Sequence, residues 1–265
     1  MANEPTAAAA GTGTPSAGGP ELQPRAVAAG RGASWWTEGW RLFTPGVGVW
    51  ILAVVILACL NIAINFVPVV GPLAAQILFP VFMGGLMLGC RAIDRGNPLT
   101  LGHVFAGFSQ CTGHLVLVGV IYTVLVIAVV IVVAVLLILF FGAAFISALA
   151  GMSDASRIGV ALGSMSLAAL VAALLFLLLW LPVVMAVWFA PALVMLGGVE
   201  PVAAFKISFS GCLKNFVPFL LYGLIGLLLA IVASIPVGLG WLVLAPVSIA
   251  TIYASYCDIF EDRDE

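Results

Sequence analysis

Apolar stretches long enough to cross a bilayer recur along this chain, and they constrain its fold more than any other feature. About 20 apolar residues are needed to cover the roughly 30 Å of hydrocarbon in a bilayer. Six stretches reach that length, and they predict spans at about 46–66, 72–90, 115–141, 165–196, 216–235 and 241–257. The chain is therefore predicted to be all-α, a polytopic membrane helical bundle with about six transmembrane helices.

Composition agrees with lipid as the main solvent of this chain. Only 8% of its 265 residues are charged and 64% are hydrophobic, whereas soluble domains carry roughly 25% charged residues. The net charge of −2 excludes the basic surface of an ordinary nucleic-acid-binding protein, so no nucleic-acid partner is predicted. The five cysteines form no C-x-x-C pair, which indicates small apolar packing residues and no disulfide framework.

The chain divides into a tail, a membrane domain and a short acidic end. Residues 1–33 are mostly Ala, Gly, Thr, Pro and Ser, which bury too little apolar surface to fold, and we predict a disordered cytoplasmic tail there. No apolar core of a signal peptide occurs in it. Residues 34–260 are predicted to form the transmembrane domain, and residues 261–265 an acidic tail.

The fourth span is the hardest to define, because Pro182 and Pro191 interrupt it. We predict one kinked helix over 165–196. In the alternative, 158–181 and 182–196 cross separately and make seven spans, but this would export the segment that follows. The path of residues 142–171 stays open between a tilted helix, a kinked helix and a helical hairpin in the outer interface.

Basic residues give the orientation of the predicted spans. With the N-terminus in the cytoplasm, only Arg157 lies outside. The basic residues on the inner side are then Arg25, Arg31, Arg41, Arg91, Arg95, Lys206, Lys214 and Arg263. This distribution follows the positive-inside rule and predicts that both termini are cytoplasmic.

A three-fold internal repeat is visible in the order of the elements. Each copy has an amphipathic segment, a span, a turn and a returning helix with a proline: Pro80, Pro191 or Pro246. We therefore predict three repeated hairpins with interfacial amphipathic helices. Internal repeats occur in transporters but also in structural bundles, so the repeat describes architecture before mechanism.

The amphipathic segments are predicted to lie at the membrane interface. Their apolar faces comprise Trp36, Trp40 and Phe43; Leu101, Val104, Phe105 and Phe108; and Val202, Phe205, Phe209 and Leu213. The candidate interfacial lipid contacts are Trp36, Trp40, Arg41, Lys206 and Lys214. The segments act either as structural collars that fix helix depth or as a cytoplasmic docking surface for lipid or protein.

Three amides form the main polar cluster expected inside the membrane. Asn61 and Asn65 lie four residues apart on one face of the first span, and Gln76 follows the short turn. Amides in lipid seek hydrogen-bond partners. The cluster is either an attachment between helices or a polar pocket for a lipid head group or small solute.

No ionisable residue lies in the middle of a predicted span, which disfavours a proton relay and general acid–base chemistry there. We predict no catalytic residue, no cofactor and no metal site. His103 and His114 would lie about 16 Å apart along a continuous helix, too far to share a metal. The Gly85-x-x-x-Gly89 element permits close helix approach, within the bundle or in a dimer.

Several short motifs carry a resemblance to a known family. They are Gly39-Trp-Arg-Leu-Phe43 followed by Pro45 and Trp50, Pro80-Val-Phe82, Pro98-Leu99, Phe105-Ala-Gly-Phe108, Pro191-Ala-Leu-Val194 and Asn215-Phe-Val-Pro-Phe219. After residue 35 the chain resembles uncharacterised six-helix inner-membrane proteins of proteobacteria. More distantly, it is similar to the membrane domain of bacterial glycerophosphodiester phosphodiesterases, whose hydrolase residues have no match here. The resemblance implies the bacterial inner membrane and no particular activity.

The function predicted from these observations is a non-enzymatic inner-membrane protein that organises lipid or a partner. Its expected partners are the lipid bilayer and a membrane protein, which could be a second copy of this chain. The alternative is a transporter or channel for a neutral or lipidic substrate, with the three amides along its path. An intramembrane enzyme is a third, weaker hypothesis.

Overall fold

The structure, a computed structural model, describes residues 22–150 and 155–261, and the predictions for 1–21 and 262–265 lie outside these ranges. Within them the chain forms helices and turns and no β-strand. The α-helices are α1 (Arg31–Phe43), α2 (Val47–Asn65), α3 (Val70–Asp94), α4 (Gly102–Phe105), α5 (Thr112–Ala150), α6 (Ala155–Trp188), α7 (Ala190–Gly197), α8 (Pro201–Lys214), α9 (Phe216–Ser234) and α10 (Trp241–Phe260).

Six helical stretches in the described part of the chain are long and apolar enough to cross a membrane. They are Arg31–Asn65, Val70–Asp94, Thr112–Leu139, Ala169–Gly197, Phe216–Ser234 and Trp241–Phe260. The predicted fold class, an all-α polytopic membrane bundle, is confirmed. Residues 142–150 continue α5 and residues 155–171 belong to α6, so both of these helices extend well beyond the predicted spans.

The helices follow one another as three hairpins, α2 with α3, α5 with α6 and α7, and α9 with α10. Each is preceded by a shorter helix: α1, α4 or α8. The helices α3, α7 and α10 end where α5 and α9 begin, and we call this the charged end because ion pairs connect the helices there. The turns at 66–69 and 235–240 form the apolar end.

The returning helix of the second hairpin is broken at Phe189, between α6 and α7. In an unbroken helix the Phe189 N–H would bond to the Met185 carbonyl. Instead it donates to the hydroxyl of Ser208 at 3.0 Å, and that hydroxyl donates to the Met185 carbonyl at 2.7 Å. Pro191, near the start of α7, removes another backbone donor. The fourth crossing therefore consists of two consecutive helices, and the buried Ser208 side chain of α8 bridges the break between them by hydrogen bonds.

The folded domain begins earlier than the sequence indicated, which placed the end of the tail at residue 33. Arg31 opens α1, and the chain before it is hydrogen-bonded to α8, to Asn215 between α8 and α9, and to Ile259 of α10. The Asn215 amide accepts from Val27 N–H at 2.8 Å and donates to the Arg25 carbonyl at 2.9 Å, and Lys214 donates to the Pro24 carbonyl at 3.0 Å. Composition did not reveal these bonds, because they join the segment to residues far along the chain.

In the short helices α1 and α8, the face that packs against the bundle lies one residue before the predicted apolar face. In α1 the buried face is Gly32, Trp35, Gly39, Leu42 and Phe43, and in α8 it is Pro201, Ala204, Phe205, Ser208, Gly211 and Cys212. The pattern of large apolar residues missed this, because close contact between helices uses small residues. A Cβ at Gly39, for example, would lie 3.0 Å from the Val247 carbonyl oxygen of α10.

Buried side chains concentrate in the half of the bundle next to the charged end. In α3 all but one of the buried residues lie between Pro80 and Cys90. In α10 all eight residues from Tyr253 to Phe260 are buried. The helix α2, by contrast, buries only Trp50 and Ala53. Its outer half consequently packs loosely, and the site described below forms beside it.

Candidate functional site

The three predicted amides line one cavity of about 540 Å³ in the apolar half of the bundle. Asn61 and Asn65 reach it from α2 and Gln76 from α3, and Tyr122 of α5 and Trp188 of α6 complete its polar lining. We call this cavity the donor compartment. The short turn after α2 sets the three amides at similar depth, which is the arrangement that the sequence predicted.

The two asparagines are bonded to each other within α2. The Asn65 side-chain amide donates to the Asn61 carbonyl at 2.7 Å and to the Asn61 side-chain oxygen at 3.2 Å. These bonds do not join α2 to another helix. Of the two interpretations of the amide cluster, the geometry of this pair therefore favours the polar pocket.

Two hydrogen-bond donors of the donor compartment have no acceptor in the described part of the chain. They are the Gln76 Nε2 and Trp188 Nε1 atoms, and both are buried. Leaving a buried donor unsatisfied costs about 1–3 kcal/mol, and a buried indole N–H usually has a partner. Trp188 is the last residue of α6, so the break at Phe189 fixes its position.

A second cavity of about 490 Å³ adjoins the first, between α2, α3 and α10. We call it the apolar compartment, because Asn61 and Ser248 are its only polar side chains besides the Trp241 indole among the described residues. The two compartments together form the cleft. The side chains that line both are Asn61, Ala75, Phe79, Met83 and Ile252.

No charged residue lines the cleft among the described residues. The carboxylates and guanidinium groups lie at the charged end, and the most buried of them is Asp258, 7% exposed. The Arg31 Nε and Nη2 atoms donate to it at 2.5 and 2.7 Å, and Trp35 Nε1 donates at 2.8 Å. Arg31 also bonds Glu38 at 2.7 Å. This network joins α1 to the end of α10.

Two further ion pairs lie at the charged end, one between α1 and α3 and one between α3 and the chain just after α10. Arg41 bonds Asp94 at 2.7 Å, and the Tyr253 hydroxyl donates to the same carboxylate at 3.4 Å. Arg91 pairs with Glu261, just after α10. The sequence analysis missed Asp258 because it ended the sixth span at Cys257. Two features of the sequence could have indicated this network: a carboxylate directly after an apolar span, and an arginine at the start of α1.

The five predicted interfacial contacts have different surroundings. The Trp36 ring stacks on that of Tyr222 with centroids 4.9 Å apart, and its indole N–H donates to the Tyr222 carbonyl. The Lys214 ammonium donates to the Pro24 carbonyl. Arg41 is paired with Asp94. Trp40 is 52% exposed and Lys206 is exposed, so these two are accessible to lipid. The structure does not bring the five together as one site.

Thiols, imidazoles and carboxylates in the described residues form no group of three that could hold a metal ion. His114 Nε2 lies 3.7 Å from Glu200, and His103 bonds the Thr100 N–H. Cys59 is exposed and Cys111 half-buried. Burial raises the pKa of the Cys212 thiol to about 12, which keeps it protonated at neutral pH. Gly85 and Gly89 face residues 99–107 inside the bundle.

Comparison with known proteins identifies one kind of relative. The chain is similar to a protein of Burkholderia thailandensis named as a probable inner membrane protein, with 29% identity over 252 residues, which cover 88% of this chain and 90% of that one. No model of a known protein family matches the chain, and no solved structure matches it. The distant similarity to the phosphodiesterase membrane domain gains no support and stays a prediction.

Proposed function

We propose that this multi-pass inner-membrane protein is a non-enzymatic lipid-organising protein that holds one lipid molecule in the cleft between α2, α3, α5, α6 and α10. The single observation that carries the proposal is the pair of buried donors, Gln76 Nε2 and Trp188 Nε1, without an acceptor among the described residues. Both atoms have almost no accessible surface, so a ligand oxygen would satisfy these donors once the two side chains turn into the donor compartment. The apolar compartment would take an acyl or isoprenoid chain. Ligand sites commonly combine an apolar lining with a few convergent polar groups.

Lipid that co-purifies with the protein tests this function. We expect the full chain in mild detergent to retain one lipid molecule, detected by native mass spectrometry. The combined Gln76→Met and Trp188→Phe substitutions remove both donors, and we expect the retained lipid to fall about tenfold or more.

The matched control for this test makes the same glutamine change away from the cleft. Gln110 lies just before α5 at the charged end and is exposed, so Gln110→Met should leave the retained lipid unchanged. Equal lipid retention in Gln110→Met and in the double variant would contradict the proposal.

The alternative function, transport of a neutral or lipidic substrate, also has one specific observation in its favour. All three predicted amides line the same cavity. Transport further requires that this cavity open towards both sides, whereas the buried residues Leu86 and Met87 of α3 lie between it and the charged end. Cysteines at positions 61, 65 and 76 that react with a polar thiol reagent from both sides in turn would favour transport over lipid organisation.

We also propose that the charged end, and with it both termini, faces the cytoplasm. Support comes from the gathering of Arg31, Arg41 and Arg91 at this end, in accord with the positive-inside rule. The test adds one cysteine at a time to a protein in which Cys59 and Cys111 are serine, and the three cysteines that remain, Cys90, Cys212 and Cys257, are buried. An impermeant thiol reagent should label Leu239→Cys on intact cells, and Asn97→Cys only after the membrane is permeabilised. The reverse result would invert the topology.

A further inference from the structure

We infer that the cleft selects an uncharged lipid with carbonyl oxygens and rejects anionic phospholipids. This inference rests on the proposed function and names the ligand class. It is carried by the level at which the polar groups of the donor compartment lie and by the absence of charge among the described residues that line the cleft.

Three polar side chains of the donor compartment lie at one level of the bundle. A Cβ on Gly84 of α3 would lie 2.9 Å from Leu115 of α5 and 3.5 Å from Met195 of α7, so these three positions define a common level. The polar residues Gln76, Tyr122 and Trp188 are eight, seven and seven positions from them along the same crossings, in the direction of the apolar end. At 1.5 Å per residue each lies about 10–12 Å further on.

We call these three residues the polar ring. A second contact supports the shared level, because Gly119 of α5 lies directly against the backbone of Ile77, the neighbour of Gln76. Each member of the polar ring comes from a different crossing. Polar residues of three crossings therefore border the donor compartment at one level.

The chemistry of the polar ring specifies a neutral acceptor. An indole N–H is a donor only, the Gln76 nitrogen atom offers two N–H groups, and the Tyr122 hydroxyl can donate as well as accept. Carbonyl oxygens are acceptors only and match the N–H and O–H donors of all three. An anionic head group would also accept, but it would lie in an apolar cavity without a cation, at a high desolvation cost.

The nearby guanidinium groups do not offer that cation. Arg31, Arg41 and Arg91 lie at the charged end, bonded to Asp258, Asp94 and Glu261. The ligand that fits is a lipid whose carbonyl oxygens enter the hydrocarbon region. Two sources share this chemistry: the esters of a neutral glycerolipid and the ring carbonyls of a quinone.

Four lipid probes distinguish the effects of charge, of carbonyl oxygens and of the carbonyl source on binding. The full chain in detergent is titrated with dioleoylglycerol, decylubiquinone, dioleoylphosphatidylglycerol or squalene and analysed by native mass spectrometry. Dioleoylglycerol and its phosphatidylglycerol counterpart share the same esters and differ in charge, and squalene has no oxygen. We expect one or both carbonyl probes to bind about tenfold tighter than the other two lipids, as one or two added hydrogen bonds allow. Which carbonyl probe binds identifies the source.

Single substitutions test the role of the donors. Gln76→Met or Trp188→Phe should each weaken carbonyl-probe binding about tenfold and leave squalene binding unchanged. Gln76→Met should not melt at a lower temperature without lipid, because it removes an unsatisfied buried donor at nearly constant volume. Trp188→Phe also shortens a ring that packs against Phe219 and Tyr222, so its melting temperature does not report on the donor alone. A lower melting temperature of Gln76→Met would mean that this donor serves the fold, and would overturn the inference.

The two proposals fail in different ways. If phosphatidylglycerol binds as tightly as dioleoylglycerol and both depend on Gln76 and Trp188, the cleft binds lipid but the inferred selectivity is wrong. If squalene binds as tightly as the carbonyl probes, the polar ring does not select for carbonyl oxygens. If no probe binds, or if all bind alike to the protein and both variants, the proposed function falls as well.

Discussion

Replacing Asp258 by alanine is expected to lower the free energy of unfolding by about 3–5 kcal/mol. The substitution leaves the Arg31 guanidinium and the buried Trp35 indole N–H without the carboxylate that accepts from both. It also loosens α1 from α10 at the most densely packed part of the bundle. The melting temperature in mild detergent measures the effect, together with the fraction of protein that elutes as a folded monodisperse species.

An exposed pair provides the control for Asp258. Arg41 and Asp94 form an ion pair in which the arginine side chain is 55% exposed, so Arg41→Ala should cost about 1 kcal/mol or less. A double-mutant cycle of Asp258→Ala with Arg31→Ala should show that the two losses do not add. Equal effects of Arg41→Ala and Asp258→Ala would mean that burial does not strengthen the Asp258 network.

Replacing Gly119 by alanine is expected to destabilise the protein by about 3 kcal/mol, the upper part of the range for overpacking. A Cβ at this position would lie within 2.7 Å of the Ile77 backbone. Backbone cannot turn away as a side chain can, so α5 would have to move off α3. The melting temperature in detergent measures the loss, and the retained lipid should fall too, because Tyr122 and Gln76 of the polar ring sit on these two helices.

The neighbouring glycine of the same helix is a matched control. A Cβ at Gly113 would meet nothing within 4 Å. Alanine has a higher helix propensity than glycine by up to about 1 kcal/mol, so Gly113→Ala should be neutral or slightly stabilising. If Gly119→Ala were equally harmless, the close approach of α3 and α5 would not be needed for the fold.

The membrane bundle itself could be predicted from the sequence, because apolar length and helix rise are local properties. The three hairpins followed from the prolines, and Pro80 and Pro246 indeed lie inside α3 and α10. For the fourth crossing the sequence predicted one helix kinked at Pro182 and Pro191, or a division at Pro182. Instead α6 continues through Pro182 and the helix breaks at Phe189, where the hydroxyl that replaces the missing helical bond comes from Ser208 on another helix.

The candidate site shows the same division between local and distant information. The sequence placed Asn61, Asn65 and Gln76 together because one short turn separates them. It could not supply Trp188 or Tyr122, because their level depends on how α5 and α6 meet α3. The Asp258 network was missed for a similar reason: its partners lie more than 200 residues apart along the chain.

The uneven distribution of buried side chains has a consequence for how bilayer thickness acts on this protein. Near the charged end the helices hold one another, whereas the outer parts of α2, α5 and α9 contact mainly lipid. A thinner or thicker membrane forces helices to tilt or bend at a cost of fractions of a kcal/mol per Å. That strain falls on the loosely packed half, where the cleft lies, and leaves the ion-paired half unchanged. The acyl-chain length of the surrounding lipids thus changes the shape of the cleft, and no bound ligand is needed for this change.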